Sequence, residues 1–204
     1  MRIAIVGNAK LGSDQSALVD ASELVVRFNR CESLAGGLSG NRTDVLALTN
    51  TGETGKRFAD GGYLAGLLAR IGASEVWLIR APGYYRELAK RHSIFDGRKR
   101  QNFTEHTALL ARAVKDQQIV IFDAPLQREL DRKLAARDPE TAGFMPSSGM
   151  LAIEHVLHRL ARTGDEVVVL GFGHDGAFKH PWSAEKQLVD EYVQQGKLRR
   201  MGGA

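Results

Sequence analysis

Short runs of aliphatic and β-branched residues recur along this chain at positions 3–6, 24–28, 44–48, 76–79, 119–122 and 167–170, bounded by Gly, Asn, Asp or Pro. The runs are continuous rather than alternating, which is the pattern of strands covered on both faces by helices. Stretches with helical periodicity fall between them, at 56–70, 84–91, 105–115, 126–137, 149–162 and 184–195. Strands interleaved with helices predict an α/β fold with a mostly parallel sheet. A length of 204 residues suits one well-buried core, and neither a Ser/Gly linker nor a repeat marks a boundary, so residues 1–204 are expected to form a single domain. The polar stretch 92–103 is the best candidate for a mobile loop.

Ligands of open α/β sheets gather beyond the carboxyl ends of the strands. Ile3-Ala-Ile-Val-Gly-Asn8 and Val25-Val-Arg-Phe-Asn29 each end on an asparagine there, and Gly171-Phe172-Gly173 follows the last apolar run. An amide in that place either donates to a phosphate or ribose oxygen or caps a turn, and spacing leaves both readings open. Met145-Pro-Ser147-Ser148-Gly149-Met150 reads as the start of a helix, with a serine as cap, Gly149 allowing close approach, and Met150, Ile153, Leu157 and Leu160 as the buried stripe. Its free amides and dipole suit an anion without any charged side chain; an ordinary N-cap is the plainer alternative.

The tail carries His174, His180, Trp182 and Glu185 close together. A histidine near its free pKa can take a proton from a hydroxyl at neutral pH while a carboxylate fixes its tautomer, and His180 with Glu185 is such a candidate pair. A purely structural loop histidine is the alternative.

Several function classes fit poorly. Hydrophobic content of 43% and charged content of 25% are those of a globular chain. No apolar run approaches the roughly 20 residues of a membrane helix, and the first strand begins too early for a signal peptide, so a cytoplasmic chain is expected. Cys31 is the one cysteine, which excludes an internal disulfide and a zinc finger and leaves a buried or half-buried thiol without a role. A net charge of +4 favours an anionic partner, but Arg98-Lys-Arg100 is short and lacks aromatic neighbours, so a solvated loop and no nucleic-acid partner are expected. His155 and His158 share a helix face without a third ligand and read as surface residues; no metal site is expected. A Walker loop and a Gly-x-Ser-x-Gly elbow are both absent.

Taken in order, these segments resemble the motifs of the sialyltransferases of eukaryotic type (glycosyltransferase family 29) and their bacterial relatives. The long motif is similar to Ile3-Ala-Ile-Val-Gly-Asn8, Val19-Asp20, Val25-Val-Arg27-Phe-Asn29 and Gly40-Asn-Arg-Thr43. The small motif resembles Pro146-Ser-Ser-Gly149-Met-Leu-Ala, Asp165-Glu-Val and Gly171-Phe-Gly173, and the very small motif His180 to Glu185 followed by Gly196-Lys-Leu. The resemblance implies a GT-A-like sialyltransferase variant: an inverting, metal-independent transferase that takes an acidic sugar, sialic acid or Kdo type, from a CMP-sugar to a glycan acceptor, without a further cofactor. It implies that Asn8 and Asn29 hold the phosphate and ribose with help from Ser147, Ser148 and Gly149, that Gly171, Phe172 and Gly173 line the cytosine pocket, and that His180 is the general base. Arg27 and Glu185 would support the site, and His174 would stand in for the family's second histidine.

The chain also departs from the family. Ile3 and Gly164 occupy the positions of its disulfide cysteines, and the short stretch between Gly173 and His180 implies a reduced acceptor site. Short bacterial chains of this pattern carry the label urease operon accessory protein, although no residue here suggests nickel chemistry. A non-catalytic nucleotide-binding protein that keeps the donor pocket is the alternative expectation.

Overall fold

The computed structural model describes residues 1–60, 62–91, 101–114, 116–141, 143–173 and 180–202. Its centre is a parallel sheet of β1 (Arg2–Val6), β2 (Leu24–Phe28), β3 (Val45–Leu48), β4 (Glu75–Leu78), β5 (Gln118–Ile121), β6 (Glu166–Leu170) and β7 (Arg199–Arg200). The strand order is β5-β4-β3-β2-β1-β6-β7, and every pairing is parallel. Helices α1 (Ser16–Asp20), α2 (Gly52–Ala59), α3 (Tyr63–Ile71), α4 (Pro82–Arg91), α5 (Thr107–Ala113), α6 (Ala124–Arg137), α7 (Ser148–His155) and α8 (Trp182–Gln194) flank the sheet.

Alternate residues of one strand serve opposite cores. Ile3 and Ile5 of β1 face a cluster built with Trp77, Leu130, Ile153 and Leu188, whereas Ala4 and Val6 face Val19 and Val168. On the α2–α3 side, Leu46 and Leu48 pack with Phe58, Leu64, Leu67 and Leu110. All four β1 residues are fully buried, as two-sided coverage requires. The strands run outward from β1 to β5, and β6 then lies on the other side of β1, so the order reverses between β1 and β6. That reversal opens a crevice at the carboxyl ends of both strands.

Every expected strand is present within a residue of its expected bounds, and β7 was not anticipated. Arg199-Arg200 carries no apolar signal, and it is held against β6 by backbone pairing while the neighbouring Leu198 is buried. The helix expected over 56–70 is two helices, because Gly62 takes a left-handed conformation (φ 57°) that ends one axis and starts another. α7 is buried on all sides from Gly149 to Glu154 rather than along a stripe, and it continues as a π-turn over Val156–Leu160.

His155 is not the surface residue expected. Its ring stacks on Phe122 at 4.1 Å and meets Trp77 edge-on at 4.9 Å, and burial brings its pKa down to about 4. Burial likewise pushes the Cys31 thiol up to about 11. The basic run 98–100 and most of the expected mobile loop lie outside the described residues. No helix among the described residues is long and apolar enough to cross a membrane.

Candidate functional site

Two glycines bring the ends of β1 and β6 together. The Gly7 amide donates to the Leu170 carbonyl at 2.8 Å and the Ala9 amide to the Gly171 carbonyl at 3.0 Å. A Cβ on Gly7 would strike the Gly171 carbonyl, and one on Gly171, itself at φ +70°, would strike the Gly7 carbonyl. Only bare backbones fit this closely. Asn8 leaves one strand and Phe172 the other; the Phe172 ring lies over Gly149 and meets Phe28 edge-on at 6.0 Å.

Between these ends lies a cavity of about 350 Å³ lined by Gly7, Asn8, Ala9, Phe28, Asn29, Ser147, Ser148, Gly149, Gly171, Phe172, Gly173, His180 and Trp182. Nine of the residues singled out in the sequence therefore meet in one place: Asn8, Asn29, Ser147, Ser148, Gly149, Gly171, Phe172, Gly173 and His180. His174 lies outside the described residues. Arg27 is not in the cavity. It is fully buried and donates to the carbonyls of Arg42, Ser39 and Gly40 and to the hydroxyls of Ser33 and Ser39, which folds the segment after β2.

The strand-end asparagines cap turns, and both also line the cavity. Asn8 donates from Nδ2 to the Phe28 carbonyl at 3.3 Å and accepts the Ser33 amide at 3.4 Å. Asn29 sits at φ 50°, a conformation asparagine tolerates, and its Oδ1 accepts the Thr49 amide at 2.9 Å. Each clasps a turn and lines the cavity.

The start of α7 is built by side chains from other elements. Ser147 caps it, its Oγ accepting the Met150 amide at 3.1 Å. Thr49, at the end of β3, shares a hydrogen bond of 2.8 Å with the Ser148 hydroxyl. The first amides of a helix have no intrahelical acceptor, and Ser148 and Gly149, which supply two of them, line the cavity. Partial positive charge therefore collects there.

His180 does not pair with Glu185. Its Nδ1 lies 2.6 Å from the Met145 carbonyl, an acceptor only, so Nδ1 carries a proton, and when the ring is neutral the lone pair is on Nε2. The ring meets Trp182 edge-on at 5.0 Å. Glu185 turns inward instead: it is 1% exposed and accepts the Ser147 amide and hydroxyl, each at 2.6 Å. Burial raises its pKa to about 7 against the opposing pull of those two bonds. A spacing of five residues could not tell which way a carboxylate in the first turn of α8 would face.

Sequence reasoning missed Thr49 and Asn50, and it named Trp182 in the tail without a place at the cavity wall. Leu48-Thr-Asn50 is a third strand ending on an asparagine, and that repetition was the available signal. Asn50 is fully buried and fixes the turn after β4, donating to the Arg80 carbonyl and the Thr107 hydroxyl and accepting the Arg80 amide. A second cavity of about 550 Å³ adjoins the first through Asn8 and Asn29 and carries Arg30, Arg57, Phe58 and Tyr63.

No family model matches the chain. Among solved structures, a mammalian sialyltransferase in complex with Gal-β1-3GalNAc-ortho-nitrophenol aligns with a TM-score of 0.55 and 19% identity, over 100% of this chain and 70% of that one. The sialyltransferase CstII from Campylobacter jejuni, in complex with a substrate analogue, cytidine-5'-monophosphate, aligns with a TM-score of 0.56 and 12% identity, over 98% of this chain and 79% of that one. The fold is thus the one that these sialyltransferases share. In sequence, the urease operon 23 kDa accessory protein of Rhizobium meliloti (strain 1021) is 37% identical over 203 residues, 98% of this chain and 92% of that protein, and the chain belongs to the family of that accessory protein.

Proposed function

We propose that the protein is a glycosyltransferase that moves an acidic sugar, of sialic acid or Kdo type, from a CMP-sugar to a hydroxyl of a glycan acceptor. The observation that carries this reading is a single crevice, on a fold shared with sialyltransferases, holding both a helix start with free amides and an imidazole of fixed tautomer. The solved complex of CstII with cytidine-5'-monophosphate supports a cytidine nucleotide as the donor half.

In this reading the Ser148 and Gly149 amides, at the positive end of the α7 dipole, receive the phosphate. Asn8 and Asn29 reach the ribose and phosphate oxygens, and the backbone from Gly171 to Gly173 lines the base. His180 Nε2 takes the proton of the acceptor hydroxyl as that oxygen bonds to the anomeric carbon. The bond from this carbon to the phosphate oxygen breaks, and its electron pair leaves with CMP. Attack opposite the leaving group inverts the anomeric centre. Amides and dipole offset the charge of the departing phosphate, so the proposed reaction uses no metal ion and no further cofactor.

Calorimetric titration with CMP, CDP, UMP and GDP tests the nucleotide assignment. Preference for CMP is expected, and equal indifference to all four overturns it. The name of the relative, an accessory protein, favours one alternative: a binding protein that keeps the crevice without transfer. Single-turnover measurement of CMP release from a CMP-sugar separates the two, since only the enzyme releases CMP.

A further inference from the structure

Two arginines are buried among the described residues, Arg27 and Arg80, and they are treated differently. Arg27 fills five acceptors. Arg80, in the turn after β4, is 3% exposed and donates from one terminal nitrogen to the Tyr85 hydroxyl at 2.8 Å, with its guanidinium 5.5 Å from the centre of that ring. Its Nε is buried without a partner, and no carboxylate among the described residues forms an ion pair with it. A cation removed from water without a counter-ion is costly, and such groups normally pair or bind anions.

Neighbouring acids respond to Arg80 without neutralising it. Its charge pulls on the carboxyls of Glu185 and Asp131, yet burial raises both, so each resists ionising. Asp131 is bonded instead by the Tyr84 hydroxyl and Gln127. The position of Arg80 is bracketed from two sides. Asn50, which clasps its backbone, follows Thr49, whose hydroxyl meets Ser148; Glu185, which feels its charge, holds Ser147. The backbone of Arg80 is thus two links from Ser148, and its charge reaches the carboxyl that holds the first turn of α7, where the helix dipole already favours negative charge.

We infer that Arg80 is the counter-charge for a phosphate bound over the Ser148 and Gly149 amides, acting through the field it adds to that helix start rather than by direct contact. The inference rests on the nucleotide reading of the cavity and adds a residue outside its lining. It accounts for a buried cation that the ligand-free protein leaves unpaired.

Arg80→Met and Arg80→Lys test it by calorimetric titration with CMP and with cytidine, alongside thermal unfolding of the ligand-free proteins. Arg80→Met should weaken CMP binding about tenfold or more while leaving cytidine unchanged. Arg80→Lys should keep most of the CMP affinity. The ligand-free Tm of Arg80→Met should equal or exceed that of the parent, because an uncompensated charge has gone. Unchanged CMP affinity in Arg80→Met overturns the inference. So does parallel weakening of CMP and cytidine with a lowered Tm, or failure of that variant to fold, since these assign Arg80 to the scaffold. Parent protein that ignores CMP sinks the nucleotide reading alone; inorganic phosphate then replaces CMP as probe with the same variants.

Discussion

Glu185 accepts both the amide and the hydroxyl proton of Ser147, each at 2.6 Å, and so ties the first turn of α8 to the first turn of α7. The carboxyl lies directly behind a cap whose other side lines the crevice. When ionised, it puts a negative charge at the end of a helix dipole that would otherwise attract an anion. When neutral, it donates its own proton to the Ser147 Oγ, which still accepts the Met150 amide and has its hydroxyl proton free for another acceptor.

The pH dependence of stability follows from this carboxyl. Its pKa rises from an ordinary 4.5 to about 7 on folding, through burial. A raised pKa means that the folded state holds the proton more tightly, so the stability it contributes is complete below the ordinary value and is lost as pH rises through about 7. The full loss is about 3 kcal/mol. Glu185→Gln, whose amide mimics the neutral acid, should flatten the fall in Tm expected between about pH 4.5 and pH 7 in the parent. Parallel Tm profiles for parent and variant would remove Glu185 as the cause.

The sheet was legible in the sequence because two-sided burial leaves runs that do not alternate, as in β1, β2, β3, β4 and β6; β5 carries such a run too, although it is the edge strand and Ile121 is 47% exposed, so the expectation of cover on both faces fails there. β7 was not, since a charged pair of residues is held by backbone pairing alone. Asn8, Asn29, Ser148 and Gly149 could be found because strand ends and helix starts are local features. The direction of Glu185 and the isolation of Arg80 could not. Both depend on which side chains from distant elements arrive beside them, and no local spacing encodes that.

Removal of the imidazole separates chemistry from binding. His180 is held by the Met145 carbonyl and stands at the cavity wall, but the Ser148 and Gly149 amides do not depend on it. His180→Ala should lower turnover by about 10²- to 10⁴-fold while CMP affinity stays within about threefold of the parent. Full turnover in the variant would take His180 out of the mechanism.

Contact between β1 and β6 tolerates no side chain at its carboxyl end. Gly7→Ala places a methyl against the Gly171 carbonyl, which is backbone and cannot swing aside. A loss of about 1–3 kcal/mol is expected, accompanied by weaker CMP binding because Asn8 moves with the strand end. Chemical denaturation and titration of the one variant read both effects. A Gly7→Ala protein with parental stability would contradict the close approach.

A second buried acid lies outside the crevice lining and makes a purely structural prediction. Glu154 of α7 is fully buried; it pairs with Lys133 of α6 at 2.7 Å and accepts the Tyr192 hydroxyl of α8, while His158 approaches at 3.3 Å. One carboxylate thus joins the helices that cover this face of the sheet. Lys133→Met removes its fixed positive partner and strands a charge, at a cost of about 3–5 kcal/mol. Lys133→Met with Glu154→Gln strands nothing and should recover more than half of that loss. A double variant no more stable than the single one would mean that Lys133 acts through packing of its aliphatic stem rather than through its charge.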